Sequence, residues 1–299
     1  MTETEAIMEV TFHGVRGSYP TPGRSTLAYG GNTSSQEVRV GGRLLILDAG
    51  TGVIKLGRRL VRDKSTLPMA MFFSHNHHDH TSGLLYFRPA YFRTTTAYIY
   101  GPVDAGGGIL AALNDLSNPP AHPVALANMG MNFTCDNLED GMVARWSPGK
   151  KAPTLHGGKV RTSPEDVVVR ILHNPRHPVD GALNFRIEHR GRAYVYATDV
   201  EGDEALGDPL LAAFAKGADL LAHDGQYQSR EYAQLRRGWG HSTPRMAVKT
   251  ALMAGVGRLA VIHHEPRYGD RILARMEKAT RKLFRNSFFA KEGQRVRIV

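Results

Sequence analysis

The nine residues from Phe72 to His80 (Phe-Phe-Ser-His-Asn-His-His-Asp-His) constrain this chain more than any other stretch. The apolar run Met69 to Phe73 reads as a buried strand. It stops abruptly in five ionisable side chains packed into six positions, 75 to 80. Among them His75, His77, Asp79 and His80 spell H-x-H-x-D-H. Imidazole nitrogen and carboxylate oxygen are donors that suit zinc and related divalent ions. A loop closing a strand can aim residues 75 and 77 at one focus and residues 79 and 80 at a neighbouring one. That suits two metals a few ångströms apart, an arrangement that attacks phosphate and acyl esters. One histidine in a polar loop implies little; four ligand-type side chains at this spacing predict a metal site.

Composition sets the frame around that site. A chain of 299 residues with 41% hydrophobic content suits one large α/β domain, here 1–299, carrying an insertion. Its 32 glycines and 16 prolines predict tight turns and shaped loops. Cys135 is the single cysteine, so no intrachain disulfide forms, and a reducing, cytoplasmic setting is expected. The acidic start (Met1 to Glu5) leads into no apolar segment, and no apolar run approaches the roughly 20 residues of a membrane span. Thirty-eight Lys and Arg against 28 Asp and Glu give +10, which favours anionic ligands: nucleotides, phosphate esters or RNA.

Along the chain, strands are expected at Val10 to Phe12, Gln36 to Val40 and Leu44 to Leu47, the last two joined by a Gly41-Gly42 turn. A helix follows from Val53 to Arg62. Ser82 to Phe87 and Ile109 to Leu116 read as helices and Ala97 to Tyr100 as a strand. From 117 to 166 the alternation is lost among six prolines. This Pro-rich segment is expected to lie over the site, with a little strand near Met142 to Trp146. Strands resume at Val167 to Leu172, Asn184 to His189, Ala193 to Ala197, Asp219 to Ala222 and Leu259 to Ile262. Helices interleave at Leu210 to Ala215, Pro244 to Ala254 and Arg271 to Arg285. Two runs of strands, each with helices attached, predict two sheets face to face with helices outside.

Later strands also end in ligand-type residues: His177, Asp199, His241, and the pair His263 and His264. Each alone is a polar residue capping a strand; repetition at strand carboxyl ends points to one shared site. Asp199 is placed to bridge two cations. Spacing does not separate His263 from His264, nor His177 from His173. Asp48 ends a strand among glycines, where it either orients a ligand imidazole or caps a turn. Thr243-Pro244 is a helix start, with Ser242 or Thr243 as N-cap, which sets His241 beside a helix N-terminus suited to a phosphate oxygen. On the last helix Arg271, Arg275, Lys278, Lys282 and Arg285 form a basic stripe, explained by a solvated face or by polyanion docking.

In these motifs the chain resembles the metallo-β-lactamase-fold hydrolases over nearly its whole length outside 117–166. The similarity is nearer to the phosphodiesterase branch, ribonuclease Z and the phosphoribosyl cyclic phosphodiesterases. It is carried by Gly30 to Ser34, Leu47 to Gly52, Gly240 to Thr243 and His263 to Tyr268. The resemblance implies an αββα sandwich of two mixed sheets and two Zn2+ per chain, with Mn2+ or Fe2+ as alternatives. His75, His77, His177 and Asp199 would hold one ion; Asp79, His80, Asp199 and His263 would hold the other. A bridging hydroxide would attack phosphorus, with Asp79 steering its proton. His241 would act as general acid or phosphate clamp, paired with Asp224. Asp48 would stand behind a ligand, while Asn32 and Ser242, within the shared motifs, would touch substrate. A homodimer is compatible with the resemblance.

The chain departs from ribonuclease Z in lacking a clear long arm with a glycine-rich tip for gripping transfer RNA. The expected activity is therefore hydrolysis of small or cyclic phosphodiesters, cyclic nucleotides included. The alternative is RNA 3′-processing, and thioester or lactone hydrolysis ranks below both. A metal-stabilised module without catalysis would show a missing ligand, and none is missing.

Overall fold

The computed structural model describes residues 6–65, 67–104 and 106–299. The first part of the chain forms β1 (Met8–Gly14), β2 (Ser35–Val40), β3 (Arg43–Leu47), α1 (Val53–Arg62), β4 (Met69–Phe72) and α2 (His78–Thr81). It continues through β5 (Thr96–Asp104), β6 (Gly107–Gly108), α3 (Ile109–Leu116), β7 (Asn132–Leu138), β8 (Val143–Trp146) and β9 (Thr154–His156). Next come β10 (Val167–Asn174), β11 (Ala182–His189), β12 (Arg192–Ala197), α4 (Pro209–Phe214), β13 (Leu220–Asp224) and α5 (Ser229–Glu231). The chain finishes with α6 (Pro244–Ala254), β14 (Leu259–Ile262), α7 (Asp270–Leu283), β15 (Ser287–Phe289) and β16 (Arg295–Ile298).

One sheet runs β16-β1-β2-β3-β4-β5-β6, with β7 also on β5; the other runs β15-β14-β13-β12-β11-β10-β8-β9. Both are mixed. β3, β4, β5 and β7 are parallel, as are β12 to β15, and the flanking strands pair antiparallel. The β2–β3 hairpin closes on Gly41 and Gly42, both at positive φ (52° and 73°), a turn that a Cβ would strain.

Alternation along the strands builds three apolar layers. Between the sheets, Val10, Phe12, Leu47 and Phe72 meet Phe185, Tyr194, Tyr196 and Ile262. Outside the first sheet, Leu56 and Leu60 of α1 and Leu113 of α3 cover Ile46, Met71 and Ile99. Outside the second, Leu211, Ala247, Ala251 and Leu273 cover Val195, Leu221 and Val261. The result is a four-layer αββα sandwich. Among the described residues no helix is long and apolar enough to cross a membrane.

Two local expectations are corrected. Segment 117–166, read as carrying only a little strand, holds the one expected near Met142 to Trp146 as β8 and adds two more: β7 extends the first sheet along β5, and β8 and β9 extend the second past β10. Trp146, 2% exposed, sits between the sheets with its ring 6.3 Å from that of Phe72. β7 carries no buried alternation because only its last residue, Leu138, is buried. The helix read at Ser82 to Phe87 is a 3₁₀ helix over Ser82–Tyr86, directly after the single α turn of α2.

The parallel strands of both sheets end at one rim, where their carboxyl ends and following loops converge. Asp48 follows β3, His75 follows β4, Asp199 follows β12, Asp224 ends β13 and His263 follows β14. His177 comes from the β10–β11 loop, and His241 from the loop before α6.

Candidate metal centre

Asp199 divides the rim into two halves. Its Oδ2 lies 3.6 Å from His75 Nε2 and 3.8 Å from His177 Nε2. Its Oδ1 lies 3.2 Å from His80 Nε2 and 3.3 Å from His263 Nε2. His77 Nδ1 stands 3.3 Å from His177 Nε2, completing the first group. Asp79 Oδ2 stands 3.2 Å from both His80 Nε2 and His263 Nε2, completing the second. Donor atoms of His75, His77, His177 and Asp199 all lie within 4.8 Å of one another, as do those of Asp79, His80 and His263.

These donors fit divalent cations. His75 Nε2 and His80 Nε2 are fully buried, face the centre and have no hydrogen-bond partner. An unpartnered buried nitrogen is costly, and a cation removes that cost. The mixed imidazole and carboxylate set, held at close range, is the chemistry zinc and its neighbours accept.

A tier of hydrogen bonds behind the donors fixes their direction. Asp48 accepts from His80 Nδ1 at 2.8 Å, from Ser74 N and Oγ at 2.7 and 2.8 Å, and from the Tyr196 hydroxyl at 2.7 Å. His177 Nδ1 donates to the Gly240 carbonyl at 3.1 Å, so its Nε2 lone pair faces inward. His263 Nδ1 lies 3.1 Å from Gln226 Oε1, and Asp79 Oδ2 accepts from Ser18 N at 2.7 Å. Such partners set tautomer and ring orientation.

Charge follows the same division. Burial holds His75 well below the ordinary imidazole value and lowers His77 and His177. Burial also opposes charge on His80 and His263, yet Asp79 and Asp199 outweigh it: His80 is raised well above its usual value and His263 to about 9. Burial pushes Asp79 and Asp199 upward, but His80 for the first and His263 for the second, with their neighbours, hold both well below the carboxylate range. Cations and protons compete for these donors.

His241 borders the centre. Its Nδ1 lies 2.8 Å from Asp224 Oδ2 and 3.8 Å from Asp199 Oδ2, and its ring stacks on His263 at 4.9 Å. Asp224 Oδ1 accepts from the backbone N–H of Gln226 and of Ser242. Thr243 is the N-cap of α6, its hydroxyl accepting from Met246 N.

The structure separates the pairs that spacing left open. His264 points into the core, donating from Nε2 to the Ala290 carbonyl and stacking on Phe289. His173 donates to the Asp180 carbonyl and stays out of both donor groups. Asn32 and Ser242, expected as substrate contacts, are engaged by the protein itself. Asn32 commits its backbone N–H and side-chain amide to Glu292. Ser242, fully buried, donates to the Val200 carbonyl and accepts from Gly202 N. Both hold loops in place. Sequence reading missed Ser74, Gln226, Tyr196 and Ser18. Ser74 adjoins the flagged His75 and Gln226 comes two residues after Asp224, but Tyr196 looks like any core tyrosine until the sheets are stacked.

Comparisons with known proteins agree with this geometry. The family described as "Beta-lactamase superfamily domain" matches residues 43–264. A ribonuclease Z of Gemmatimonas aurantiaca is 26% identical, over 97% of this chain and 95% of its own length. Among solved structures, the metallo-beta-lactamase fold protein YhfI of Bacillus subtilis superposes with a TM-score of 0.65 at 21% identity, covering 98% of this chain and 99% of its own. The short form of human tRNase Z superposes at 0.61 with 19% identity, covering 97% and 99%. Fold, donor cluster and family match converge: the chain belongs to the beta-lactamase superfamily and is a metal-dependent hydrolase.

Proposed function

We propose that the protein is a dinuclear zinc phosphodiesterase acting on small or cyclic phosphodiesters, cyclic nucleotides among them. The observation that carries this reading is Asp199, whose two oxygens serve two separate donor groups beside His241 and Asp224. His75, His77, His177 and Asp199 would hold one ion, and Asp79, His80, His263 and Asp199 the other. A bound ion pair supplies Lewis acidity, acidifying water and neutralising charge on phosphoryl oxygens. The chain's own residues do the rest. Asp224 holds the Nδ1 proton of His241, leaving Nε2 to carry a proton to the leaving oxygen while the carboxylate stabilises the imidazolium. Asp79, fixed by Ser18 N, is placed to accept a proton from the attacking water.

A cavity of about 240 Å³ opens beside His75 and His77, with Asp104 and Asp180 in its wall. Its size suits a small diester. RNA 3′-processing is the second reading. It is favoured by the ribonuclease Z relative, by the net charge of +10 and by the exposed basic residues Arg271, Arg275, Lys278 and Lys282 on α7, with Arg285 just beyond its end.

The test is a metal-dependent cleavage panel: 2′,3′- and 3′,5′-cyclic nucleotides, bis(p-nitrophenyl) phosphate and a 3′-extended transfer RNA precursor. Turnover of a cyclic nucleotide is expected, falling by roughly 10² or more in His241→Ala. Cleavage of the precursor alone, with steep salt dependence, moves the assignment to RNA; cleavage of nothing sinks both readings.

A further inference from the structure

The loop between α5 and α6 carries a feature that the hydrolytic machinery does not use. Trp239 is 53% exposed, whereas Trp146, the other of the two tryptophans, is buried in the core. The Arg236 guanidinium lies 4.4 Å from the Trp239 ring centroid and 5.6 Å from that of Tyr227. The Tyr227 and His241 rings in turn meet edge to face, their centroids 5.8 Å apart. A continuous ladder of rings and one cation thus joins the exposed indole to the catalytic histidine. Trp239 and His241 are two residues apart, so their Cα atoms lie within about 7 Å of each other.

The platform is braced. Glu201, two residues beyond Asp199, accepts from the Tyr232 hydroxyl at 2.6 Å, from Gly238 N at 2.7 Å and from Gly240 N at 2.8 Å. Glu231 anchors Arg236 at 3.1 Å. Gly238 and Gly240, on either side of Trp239, adopt φ of 81° and 84°. A Cβ on Gly240 would meet His177 Nδ1 at 2.3 Å, so the indole is displayed by a loop pinned to a donor residue. Holding an indole half in water with a guanidinium behind it is hard to explain by core packing. It is the surface on which a flat aromatic heterocycle stacks.

We propose that Trp239, backed by Arg236, is the stacking site for the nucleobase attached to the scissile phosphodiester, so that the substrate class is nucleotide rather than sugar phosphate. This rests on the phosphodiesterase reading above.

Two measurements on the metal-loaded full chain test it. The first follows tryptophan fluorescence during titration with AMP or with ribose 5-phosphate. AMP should quench saturably and ribose 5-phosphate should not, with the AMP effect absent in Trp239→Phe, where only buried Trp146 reports. The second compares kcat/KM for 2′,3′-cyclic AMP with that for glycerol cyclic phosphate, which has no base. The ratio should fall roughly 5- to 150-fold in Trp239→Ala, the equivalent of one stacked base, and be largely restored in Trp239→Phe. Equal responses to AMP and ribose 5-phosphate, or an unchanged ratio in Trp239→Ala, overturn the proposal. The two readings fail separately. AMP quenching without turnover of either diester supports the platform and removes the phosphodiesterase assignment. Turnover of both diesters without AMP quenching does the reverse.

Discussion

Three residues of the centre pay a conformational cost to be there. Asp48, Asp199 and His263 have φ of 59°, 52° and 61°, each within two residues of the end of its strand. Non-glycine residues adopt this left-handed region rarely, at a cost of order 1–3 kcal/mol, and keep it only where the surroundings over-determine it. At Asp48 the surroundings are four donated hydrogen bonds, from Ser74 (two), His80 and Tyr196. Asp48→Ala leaves those donors unpartnered and frees the His80 ring. Zinc affinity measured by chelator competition should weaken roughly 10- to 100-fold, with the fold retained by circular dichroism. Unchanged affinity would show Asp48 to be only a turn cap. At this scale the sequence was readable wherever ligands sit close together, as from His75 to His80. It was opaque at Tyr196, which lies 148 positions from the carboxylate it serves.

Glu37 shows how elements are locked together. It lies on β2, 1% exposed, bonded to His13 of β1 at 2.8 Å, to Arg59 of α1, and to Arg39 at 2.8 Å. Burial pushes its carboxyl upward, but His13, Arg59 and Arg39 more than offset this, leaving it lowered from 4.5 to about 2. A carboxylate with a depressed folded-state pKa stabilises fully above its unfolded value. That stabilisation drains as pH falls from about 4.5 to about 2, and is worth about 3 kcal/mol. Urea midpoints of the wild type should therefore drop across this window more steeply than those of Glu37→Gln. Parallel pH profiles would contradict the assignment. Elements with strong local signals were legible: the amphipathic α1, and α6 with its Thr243-Pro244 start and Gly255 in a left-handed C-cap. β7 was not, because an edge strand with mostly exposed side chains leaves no apolar alternation to read.

The whole molecule is two sheets that each supply part of one centre. β3, β4 and the loops after them bring Asp48, His75, His77, Asp79 and His80; the second sheet brings His177, Asp199, Asp224 and His263. β16, the last strand, crosses back to pair with β1, tying the chain's last strand to the first sheet. The sandwich was expected from two runs of strands. The full strand order was not, since pairings such as β16 with β1 and β8 with β10 depend on contacts far apart in the chain. Neither sheet alone assembles the donor set, so metal binding and the docking of the sheets are linked. The most direct measurement is a titration of metal-free protein with zinc, reading phosphodiester hydrolysis after each addition. Activity should rise to a plateau at two zinc ions per chain. A plateau at one ion, or no hydrolysis at any ratio, would contradict a dinuclear centre bridged by Asp199.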